Sequence, residues 1–322
     1  MKKILCVGDS RIDIVVPYDA MKMEAYAGSY SLGRIRCKPG GTVSNCAAML
    51  GKLGGNVSFL GVFSETATGD YLLDDLRRSG VDTSLCIRRK DGMFPVVVAV
   101  DADGSQVSDA VLMPGNEYSD FEDWDFDSSL ADNYDMLFLS CSGIIGDNSI
   151  SRTMLRYAES FHMAGKEVAA DINLRMKSDD IDSIKNEIVR KVLGCCTLIF
   201  GSGEEEFRSV TGERDIRKSA EMLSEGGKIV VARDGVNPVY LVTSSGTSVF
   251  PIVKVDPVNT IGAGDSFDAG FLRFYSEGYS PEECVIAGNT CAGYTISSTR
   301  FRDVPDIDKI REAVARGTAG KK

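Results

Sequence analysis

Short runs of apolar residues recur along the chain, and longer segments with apolar residues at helical spacing lie between most of them. The short runs predict strands that are buried on both faces, and the longer segments predict helices. The predicted strands cover residues 4–7, 57–60, 136–139, 167–170, 197–200, 229–231 and 248–255. The predicted helices cover residues 43–53, 69–79, 148–164, 181–193, 216–224, 263–275, 281–298 and 306–315. This alternation is typical of a mainly parallel sheet between helix layers, so we predict an α/β fold.

Polar and apolar residues alternate in two insertions, at about residues 11–38 and 93–113. Such alternation predicts strands with one solvated face, and Asp103-Gly104 in the second insertion predicts a hairpin turn. Because both insertions interrupt the α/β pattern, we predict a small sheet that stands off the main body and closes over a ligand as a lid. The alternative is that these strands extend an edge of the main sheet. We expect residues 1–322 to form one domain, with residues 316–322 as a disordered tail.

The composition is that of an ordinary globular protein, with 43% hydrophobic and 26% charged residues in a chain of 322. The formal net charge of −11 repels phosphate backbones and anionic lipids, so we expect neither a nucleic acid nor a membrane as partner. No apolar stretch is long enough for a signal peptide or a membrane span. We therefore expect a cytoplasmic protein, in which the nine cysteines are reduced. A single histidine, His162, excludes a zinc site with two imidazoles.

The segment at residues 259–267, Asn-Thr-Ile-Gly-Ala-Gly-Asp-Ser-Phe, follows a predicted strand and opens a predicted helix. Gly262 and Gly264 leave backbone N–H groups uncovered at the positive end of that helix, where an anion such as phosphate binds readily. Asp265 is either an ordinary helix N-cap or a carboxylate aimed at the ligand. The second hypothesis makes chemical sense if Asp265 takes a proton from an attacking hydroxyl while the amides stabilise a phosphoryl group. The third glycine of a dinucleotide-binding fingerprint is missing, and no P-loop sequence occurs.

A second glycine pair, Gly40-Gly41, precedes another predicted helix. The pair allows the backbone to approach a ligand, and the amide of Asn45 offers both a donor and an acceptor to vicinal hydroxyls. The alternative is a plain turn in which Thr42 or Ser44 caps the helix.

Two further motifs carry less weight. Gly8-Asp9-Ser10 is similar to the nucleophile block of GDS-type hydrolases, but such enzymes need a histidine late in the chain to activate the serine. His162 lies mid-chain, at the end of a predicted helix, so we do not favour a hydrolase. Cys195-Cys196 has no neighbouring positive charge in the sequence and is predicted to be buried strand rather than a reactive thiol.

Together the two glycine motifs resemble those of the ribokinase-like (PfkB) family of carbohydrate kinases. The resemblance covers nearly the whole chain, in the order that the family has. Besides the glycine motifs it rests on residues 8–13, 61–70, 79–82, 171–175 and 204–206. It implies a three-layer α/β/α body with a β-sheet lid, ATP and Mg²⁺ as cofactors, and transfer of the γ-phosphoryl group to a sugar hydroxyl. A homodimer through the lid strands is also compatible with it.

The resemblance implies a role for each motif residue. Asp265 is expected to be the general base, and transition-state charge is expected to be stabilised by the amides of Gly262, Ala263 and Gly264. The residues expected to bind acceptor hydroxyls are Asp13 from the lid, Gly41 and Asn45. The residues expected at the nucleotide and its metal are Gly235, Asn289 and, through water, Glu206.

Three positions depart from the family's pattern. Gly203 stands where relatives often carry Asn, three residues before the acid that orders the metal. The residues Ala232-Arg233-Asp234-Gly235 stand where many relatives have a Thr-x-Gly nucleotide loop. Asn259 stands where relatives often have Asp, which argues against a bound monovalent cation.

Two arginines give the only clues to the acceptor. Arg11 lies two residues before Asp13, and Arg175 ends a D-x-N-x-R pattern that is similar to fructokinases and ketodeoxygluconate kinases. Both suit a carboxylate or phosphate on the acceptor, and the alternative for each is a surface or ion-paired arginine. We therefore predict an ATP-dependent kinase of a fructose-like sugar or a keto-sugar acid. The alternatives are a nucleoside kinase of the same family and a regulatory relative that binds sugar or nucleotide with weakened catalysis.

Overall fold

The computed structural model describes residues 1–17, 36–90, 96–102, 105–107, 121–122, 125–144, 146, 148–174, 183–258 and 260–319. The strands in this part of the chain are β1 (Ile4–Val7), β2 (Arg11–Pro17), β3 (Arg36–Gly40), β4 (Val57–Leu60), β5 (Val62–Ser64), β6 (Ile87–Arg89), β7 (Val96–Ala102), β8 (Ser105–Val107), β9 (Met136–Ser140), β10 (Glu167–Asp171), β11 (Leu198–Ser202), β12 (Ile229–Asp234), β13 (Asn237–Thr243) and β14 (Gly246–Phe250). The α-helices are α1 (Thr42–Lys52), α2 (Ala67–Arg78), α3 (Leu130–Asn133), α4 (Ser149–Met163), α5 (Ser183–Cys195), α6 (Gly203–Thr211), α7 (Ile216–Leu223), α8 (Ala263–Tyr275), α9 (Pro281–Ser297) and α10 (Ile307–Ala319).

The main sheet has eight strands in the order β14-β13-β12-β11-β10-β9-β1-β4. The six strands from β12 to β4 are parallel, and β13 and β14 continue the sheet in the antiparallel sense. Strand β1 shows why its sequence is apolar throughout. Ile4 and Cys6 belong to the core on one face of the sheet, while Leu5 and Val7 belong to the core on the other face. Helices cover both faces, so the predicted three-layer α/β fold is confirmed.

Helix α8 packs an apolar stripe of Phe267, Phe271 and Phe274 into the core, where all three side chains are buried. The ring of Phe271 lies 5.2 Å from the ring of Phe200 on β11, edge to face. On another side of α8, a Cβ atom at Gly270 would lie 2.6 Å from the Cys291 Sγ of α9, so this glycine permits close helix packing. These contacts fix the direction of α8 and hold its N-terminus beside the end of β11.

Strands β2, β3, β7 and β8 form a separate sheet in the order β3-β2-β7-β8. In it β2 pairs antiparallel with β3 and parallel with β7, while β7 and β8 pair antiparallel as a hairpin requires. The alternative that these strands extend the main sheet is therefore wrong. Residues 18–35 of the first insertion and residues 93–95, 103–104 and 108–113 of the second lie outside the described residues. We refer to this four-stranded sheet as the lid; its pairing in a homodimer stays a prediction.

Three details differ from the expectations. The strand expected over residues 248–255 ends at Phe250, where Pro251 lacks the N–H that a further ladder bond needs. Cys195 ends helix α5 instead of lying in a strand. Helix α10 continues to Ala319, so residues 316–319 are helical rather than disordered, and residues 320–322 lie outside the described residues. In the described part of the chain, helices combining the length and the apolar character needed to cross a membrane are absent.

Candidate active site

A cavity of about 460 Å³ lies where the carboxyl ends of the parallel strands, the lid and the start of α8 meet. Ligands of open α/β sheets bind at this edge. The lid contributes Arg11, Asp13, Val15 and Lys38 to the wall, so the small sheet covers the cavity. The other lining residues are Asn45, Asp171, Asn173, Ser202, Glu206, Arg233 and the run 260–265.

The wall contributed by α8 is the predicted anion site. Gly262 is the N-cap of the helix and has φ 79, a left-handed backbone conformation that favours glycine. A Cβ atom at Gly264 would lie 3.2 Å from Arg233 Nη1, so the second glycine makes room for that guanidinium. The Ala263 N–H donates to the Thr260 carbonyl at 3.3 Å, and the N–H groups of a helix's first turn have no partner within the helix itself. The structure thus brings the backbone of Gly262, Ala263 and Gly264 to the cavity as a unit.

Asp265 follows in the first turn of α8. The N-cap of this helix is Gly262, with no side-chain cap bond, so the alternative that Asp265 caps the helix is wrong. Its side chain is buried, with the residue 6% exposed, yet it lines the cavity. Asn45 Nδ2 donates to Asp265 Oδ2 at 2.5 Å. The carboxylate is therefore held at the cavity wall, next to the anion site, in a position that suits a base.

Asp13 lies on the lid strand β2, and its carboxylate pairs with Arg11, which also approaches Asp9. Arg11 Nε donates to Asp13 Oδ1 at 3.2 Å, and Arg11 Nη1 lies 3.6 Å from Asp9 Oδ2. On the paired strand β3, a Cβ atom at Gly40 would lie 2.4 Å from the Asp13 carboxyl group. Glycine is therefore required at residue 40 so that Asp13 can lie over it. Arg11 lines the cavity as an ion-paired arginine.

Gly41 lies at the start of α1, and its expected role at the acceptor stays a prediction. It is the N-cap of α1 with φ 99, and a Cβ atom there would lie 2.7 Å from the backbone oxygen of Asp9. In the described part of the chain, Gly41 is not among the residues that line the cavity. The alternative of a side-chain cap by Thr42 or Ser44 is also wrong, because α1 has no such bond and Ser44 Oγ donates back to the Gly40 carbonyl at 2.6 Å. Backbone geometry by itself therefore requires a glycine at this position.

A smaller cavity of about 140 Å³ adjoins the first and shares Ser202, Arg233, Ala263 and Gly264 with it. The predicted nucleotide residues Gly235 and Asn289 both line it, and most of its other lining residues are apolar. Asn289 Nδ2 donates to the Pro251 carbonyl at 3.2 Å, which fixes the amide at the wall. The remaining predicted residues, Arg175 and Asn259, lie outside the described residues.

Glu206 lies in the first turn of α6, on the wall of the larger cavity. Its Oε2 accepts a hydrogen bond from the backbone N–H of Ser202 at 2.8 Å. In the described part of the chain, His, Cys, Asp and Glu residues do not form a group of three that would hold a metal ion alone.

Arg233 was noted in the sequence only as a departure from the family's loop, and the structure places its side chain between the two cavities. The guanidinium donates to Asp268 Oδ1 at 2.8 Å, to Asp171 Oδ1 at 3.0 Å and to the Gly264 carbonyl at 2.9 Å. Burial by itself would lower the pKa of Arg233, but Asp268 and Asp171 outweigh it and raise that pKa. Arg233 therefore stays charged beneath the anion site and holds its backbone in place.

Arg302 is a second buried arginine that the sequence analysis missed. It is 2% exposed, and its guanidinium donates to Asn45 Oδ1 at 2.8 Å, to Ser44 Oγ at 2.9 Å and to Asp75. Its backbone has φ 50, which costs a non-glycine residue about 1–2 kcal/mol. A residue held in this conformation is kept there by its contacts. The isolated arginine in the sequence gave no signal of these partners, which are far away along the chain.

The hydrolase hypothesis finds no support in the structure. Ser10 Oγ is buried and has no hydrogen-bond partner among the described residues, so no histidine activates it. His162 is in the last turn of α4.

Residues 1–307 match the pfkB family carbohydrate kinase. The chain belongs to this family. It is 25% identical over 306 residues to the aminoimidazole riboside kinase of Salmonella typhimurium, covering 92% of this chain and 90% of that one. It is 24% identical over 289 residues to the 5-dehydro-2-deoxygluconokinase of Lacticaseibacillus casei, covering 87% of each chain. A candidate ribokinase II from E. coli, solved in complex with ATP and Mg²⁺, has the same fold, with a TM-score of 0.82 at 14% identity over 98% of this chain and 100% of that chain.

The protein is thus a carbohydrate kinase. The residues that line the two cavities fit ATP and Mg²⁺, the cofactors of this family. The amides at the start of α8 suit phosphate oxygens, and the largely apolar smaller cavity suits a nucleotide base. Magnesium keeps several waters and is bound through one or two carboxylates together with substrate phosphates. Glu206 on the wall fits that requirement without a dedicated cluster of protein ligands.

Proposed function

We propose that this kinase transfers the γ-phosphoryl group of ATP to a hydroxyl of a ketose or a keto-sugar acid, with Asp265 as the general base. The observation that carries the proposal is the position of Asp265. Its buried carboxylate lies in the first turn of α8, directly after the three anion-site residues, and lines the same cavity as Asp13. A carboxylate there can accept the proton of the attacking hydroxyl, while the amides stabilise the charge that develops on the transferred group.

The smaller cavity supports ATP as the donor. Arg233, Ala263 and Gly264 line both cavities, so a nucleotide in the smaller one would direct its phosphates toward Asp265. Glu206 would hold Mg²⁺ through water, and the ion would neutralise charge on the phosphate oxygens when bound. The lid and the burial of Asp265 keep bulk water from the base, which favours the sugar hydroxyl over water as the phosphoryl acceptor.

The polar groups on the acceptor side support a polyhydroxylated substrate with an oxidised carbon. Asp13 and Asn173 offer oxygen and amide groups that suit sugar hydroxyls, while Arg11 and Lys38 add positive charge that suits a carboxylate. Arg11 is already paired with Asp13 and Asp9, so its charge is partly balanced before an acceptor binds. The relative from Lacticaseibacillus casei, by its name, acts on a keto-sugar acid, which also favours this class.

A panel assay tests the acceptor. ADP release is measured with ATP and Mg²⁺ and, in separate reactions, fructose, ribose, ketodeoxygluconate, sugar phosphates and nucleosides. We expect the highest kcat/KM with fructose or ketodeoxygluconate. A nucleoside as best acceptor would favour the alternative that the similarity to aminoimidazole riboside kinase suggests. Binding of ATP and sugars without ADP release in any reaction would favour a regulatory relative and contradict the proposal.

The base is tested by Asp265→Asn. General-base catalysis contributes roughly 10²–10⁴-fold, so we expect kcat to fall by about that factor while acceptor affinity changes little. The matched control is Asp308→Asn, which also replaces an acid in a helix's first turn, but one whose side chain is 78% exposed and far from the cavity lining. This control should keep full turnover. An Asp265→Asn variant with wild-type kcat would overturn the assigned role.

A further inference from the structure

Asn45 lies between the proposed base and the buried arginine Arg302. Its amide nitrogen donates to Asp265 Oδ2 at 2.5 Å, and its amide oxygen accepts from Arg302 Nε at 2.8 Å. Both bonds are buried. The carboxylate, the amide and the guanidinium therefore form one continuous row of hydrogen bonds behind the cavity wall.

The chemistry of the two ends fixes the orientation of the amide between them. A guanidinium has donors only, so it must meet the oxygen of Asn45 and cannot meet the nitrogen. An ionised carboxylate has acceptors only, so it must meet the nitrogen. Both ends therefore require the same orientation of the amide. If Arg302 were absent, the amide oxygen of Asn45 would lose this donor, and the amide would be held from the carboxylate end with less restraint on its position.

Arg302 is itself firmly held. Its guanidinium also bonds Ser44 on α1 and Asp75 on α2, and its backbone carbonyl accepts from Lys52 Nζ at 2.7 Å. Its side chain is almost completely buried, and its backbone adopts a left-handed conformation at φ 50. A group fixed at both its backbone and its side chain can hold a neighbour in one place.

We propose that Arg302 is a positioning residue for catalysis: it orients Asn45 and, through Asn45, sets the rotation and the proton affinity of the Asp265 carboxylate. This inference rests on the proposed role of Asp265 as the base. A hydrogen bond donated to a carboxylate favours the ionised form, which is the form that accepts a proton from the acceptor hydroxyl. A guanidinium behind the amide polarises it and strengthens that donated bond.

Other charged and titratable groups also act on Asp265, and they remain when Arg302 is replaced. Arg233 approaches from β12, Asp268 from the next turn of α8, and the Cys46 thiol from α1. Burial raises the pKa of Cys46 well above its usual range, so that thiol stays neutral. These groups are the same in the wild type and in the Arg302 variants. A change in the pH profile between them therefore reports the loss of Arg302.

The test compares pH profiles of kcat/KM for the wild type, Arg302→Met and Arg302→Lys. The acceptor probe is fructose or ketodeoxygluconate, whichever the panel selects. The acid limb of this profile is the fall of kcat/KM at low pH, as the base becomes protonated. With Arg302→Met we expect the midpoint of the acid limb to move to a higher pH by about 0.5–1 unit. We also expect kcat to fall about tenfold or more, with a smaller change in acceptor KM. Arg302→Lys keeps the positive charge but loses the planar guanidinium with its several N–H donors. The acid limb of this variant should therefore shift less than that of Arg302→Met.

A double-mutant cycle with Asn45→Ala asks whether Arg302 acts through Asn45. If it does, Arg302→Met should have little further effect on the acid limb or on kcat in the Asn45→Ala background. The control for a merely structural role is Arg273→Met. Arg273 is also a buried arginine, and its Nε donates to the Leu53 carbonyl at 2.8 Å, beyond the C-terminal end of α1 and away from the cavity. This variant should lose thermal stability without moving the acid limb.

The outcomes separate this inference from the proposed function. If Asp265→Asn is inactive but the folded Arg302→Met enzyme keeps the wild-type acid limb and kcat, the positioning role is overturned and the base remains. If Asp265→Asn keeps full turnover, both fail together. Should neither Arg302 variant fold, Asn45→Ala decides alone: it must move the acid limb upward, and an unchanged limb would overturn the inference.

Discussion

Two buried arginines lie on different sides of the proposed base, and they are balanced in different ways. Arg233, beneath the anion site, pairs with two buried carboxylates, Asp171 and Asp268. Arg302, behind Asn45, pairs with one carboxylate, Asp75, whose side chain is 30% exposed, and otherwise bonds neutral groups. The pKa values follow this difference, since the two acids raise the pKa of Arg233, whereas burial lowers the pKa of Arg302 against the opposing effect of Asp75.

The difference shows what each cation contributes to the kinase. Arg233 is paired with two buried acids and also donates to the Gly264 carbonyl, so it mainly stabilises the backbone at the start of α8. In the proposed positioning role, the charge of Arg302 acts on the neutral amide of Asn45 and through it on the proposed base Asp265. Charge balance, rather than depth of burial, therefore separates a structural arginine from a positioning one.

The largest expected effect on stability is that of Arg233→Met. It leaves the two carboxylates buried without their cation, and breaking a buried pair in this way costs about 3–5 kcal/mol. Urea unfolding of the two proteins measures the loss. Replacing Asp171 and Asp268 by Asn in the same variant should restore much of the stability, because the uncompensated charge is then gone. A loss below about 1 kcal/mol for Arg233→Met would contradict the structural role.

The same variant gives a pH prediction with a definite sign. Burial raises the pKa of Asp268 well above its ordinary value, and in the wild type Arg233 opposes that rise. Without Arg233, the folded state takes up a proton that the unfolded state releases. A raised folded pKa contributes stability below the unfolded pKa and loses it as the pH rises through the folded one. The stability deficit of Arg233→Met should therefore shrink as the pH falls from 7 toward the ordinary value of 3.8.

A smaller loss of stability is expected for Arg302→Met. Only one carboxylate loses its cation, and water reaches Asp75 because its side chain is partly exposed. The lost hydrogen bonds to charged groups suggest about 1–3 kcal/mol, less than for Arg233→Met. Thermal unfolding of both variants under the same conditions checks the order. A larger loss of stability in Arg302→Met than in Arg233→Met would contradict the comparison, because Arg302 would then contribute more to the stability of the fold.

The smallest effect is expected for Arg273→Met. Its partners are a backbone carbonyl at Leu53 and Glu277, which is partly exposed, so we expect a loss of about 1 kcal/mol and unchanged kcat. A fall in kcat as large as that of Arg302→Met would show that any buried arginine near α8 affects turnover through general loosening. Steady-state kinetics at a temperature well below the unfolding transition distinguishes the two cases.

Much of the main body could be predicted because its signals are local. Helix α8 was predicted over the residues at which it is observed, since Gly262 and Gly264 mark its start and its phenylalanines repeat with helical spacing. The parallel strands were found from apolar runs, which arise because helices cover both faces of the sheet. Strand β13 was missed because it begins with Asn237-Pro238, residues that resemble a loop.

The site was predicted in part. The motif at residues 262–265 indicated an anion site with an acid beside it, and the structure brings Asp13, Asn45 and Glu206 to the same cavity. Gly41 was assigned to the acceptor, and that role stays a prediction; the structure shows that its left-handed backbone at the start of α1 also requires a glycine. Arg233 was noted as a departure from a loop pattern. Only the structure shows that its guanidinium lies where a side chain at residue 264 would begin.

The sequence alone determined the layers of the fold, the helix that carries the proposed base Asp265 and the residue types at the proposed phosphate site, because each depends on spacing over a few neighbouring residues. Only the tertiary structure decided what Asp265 touches. Asn45 and Asp265 are 220 positions apart, and Asn45 and Arg302 are 257 positions apart. Local periodicity carries no information on such pairs, since the packing of the helices on the sheet brings them within hydrogen-bond distance.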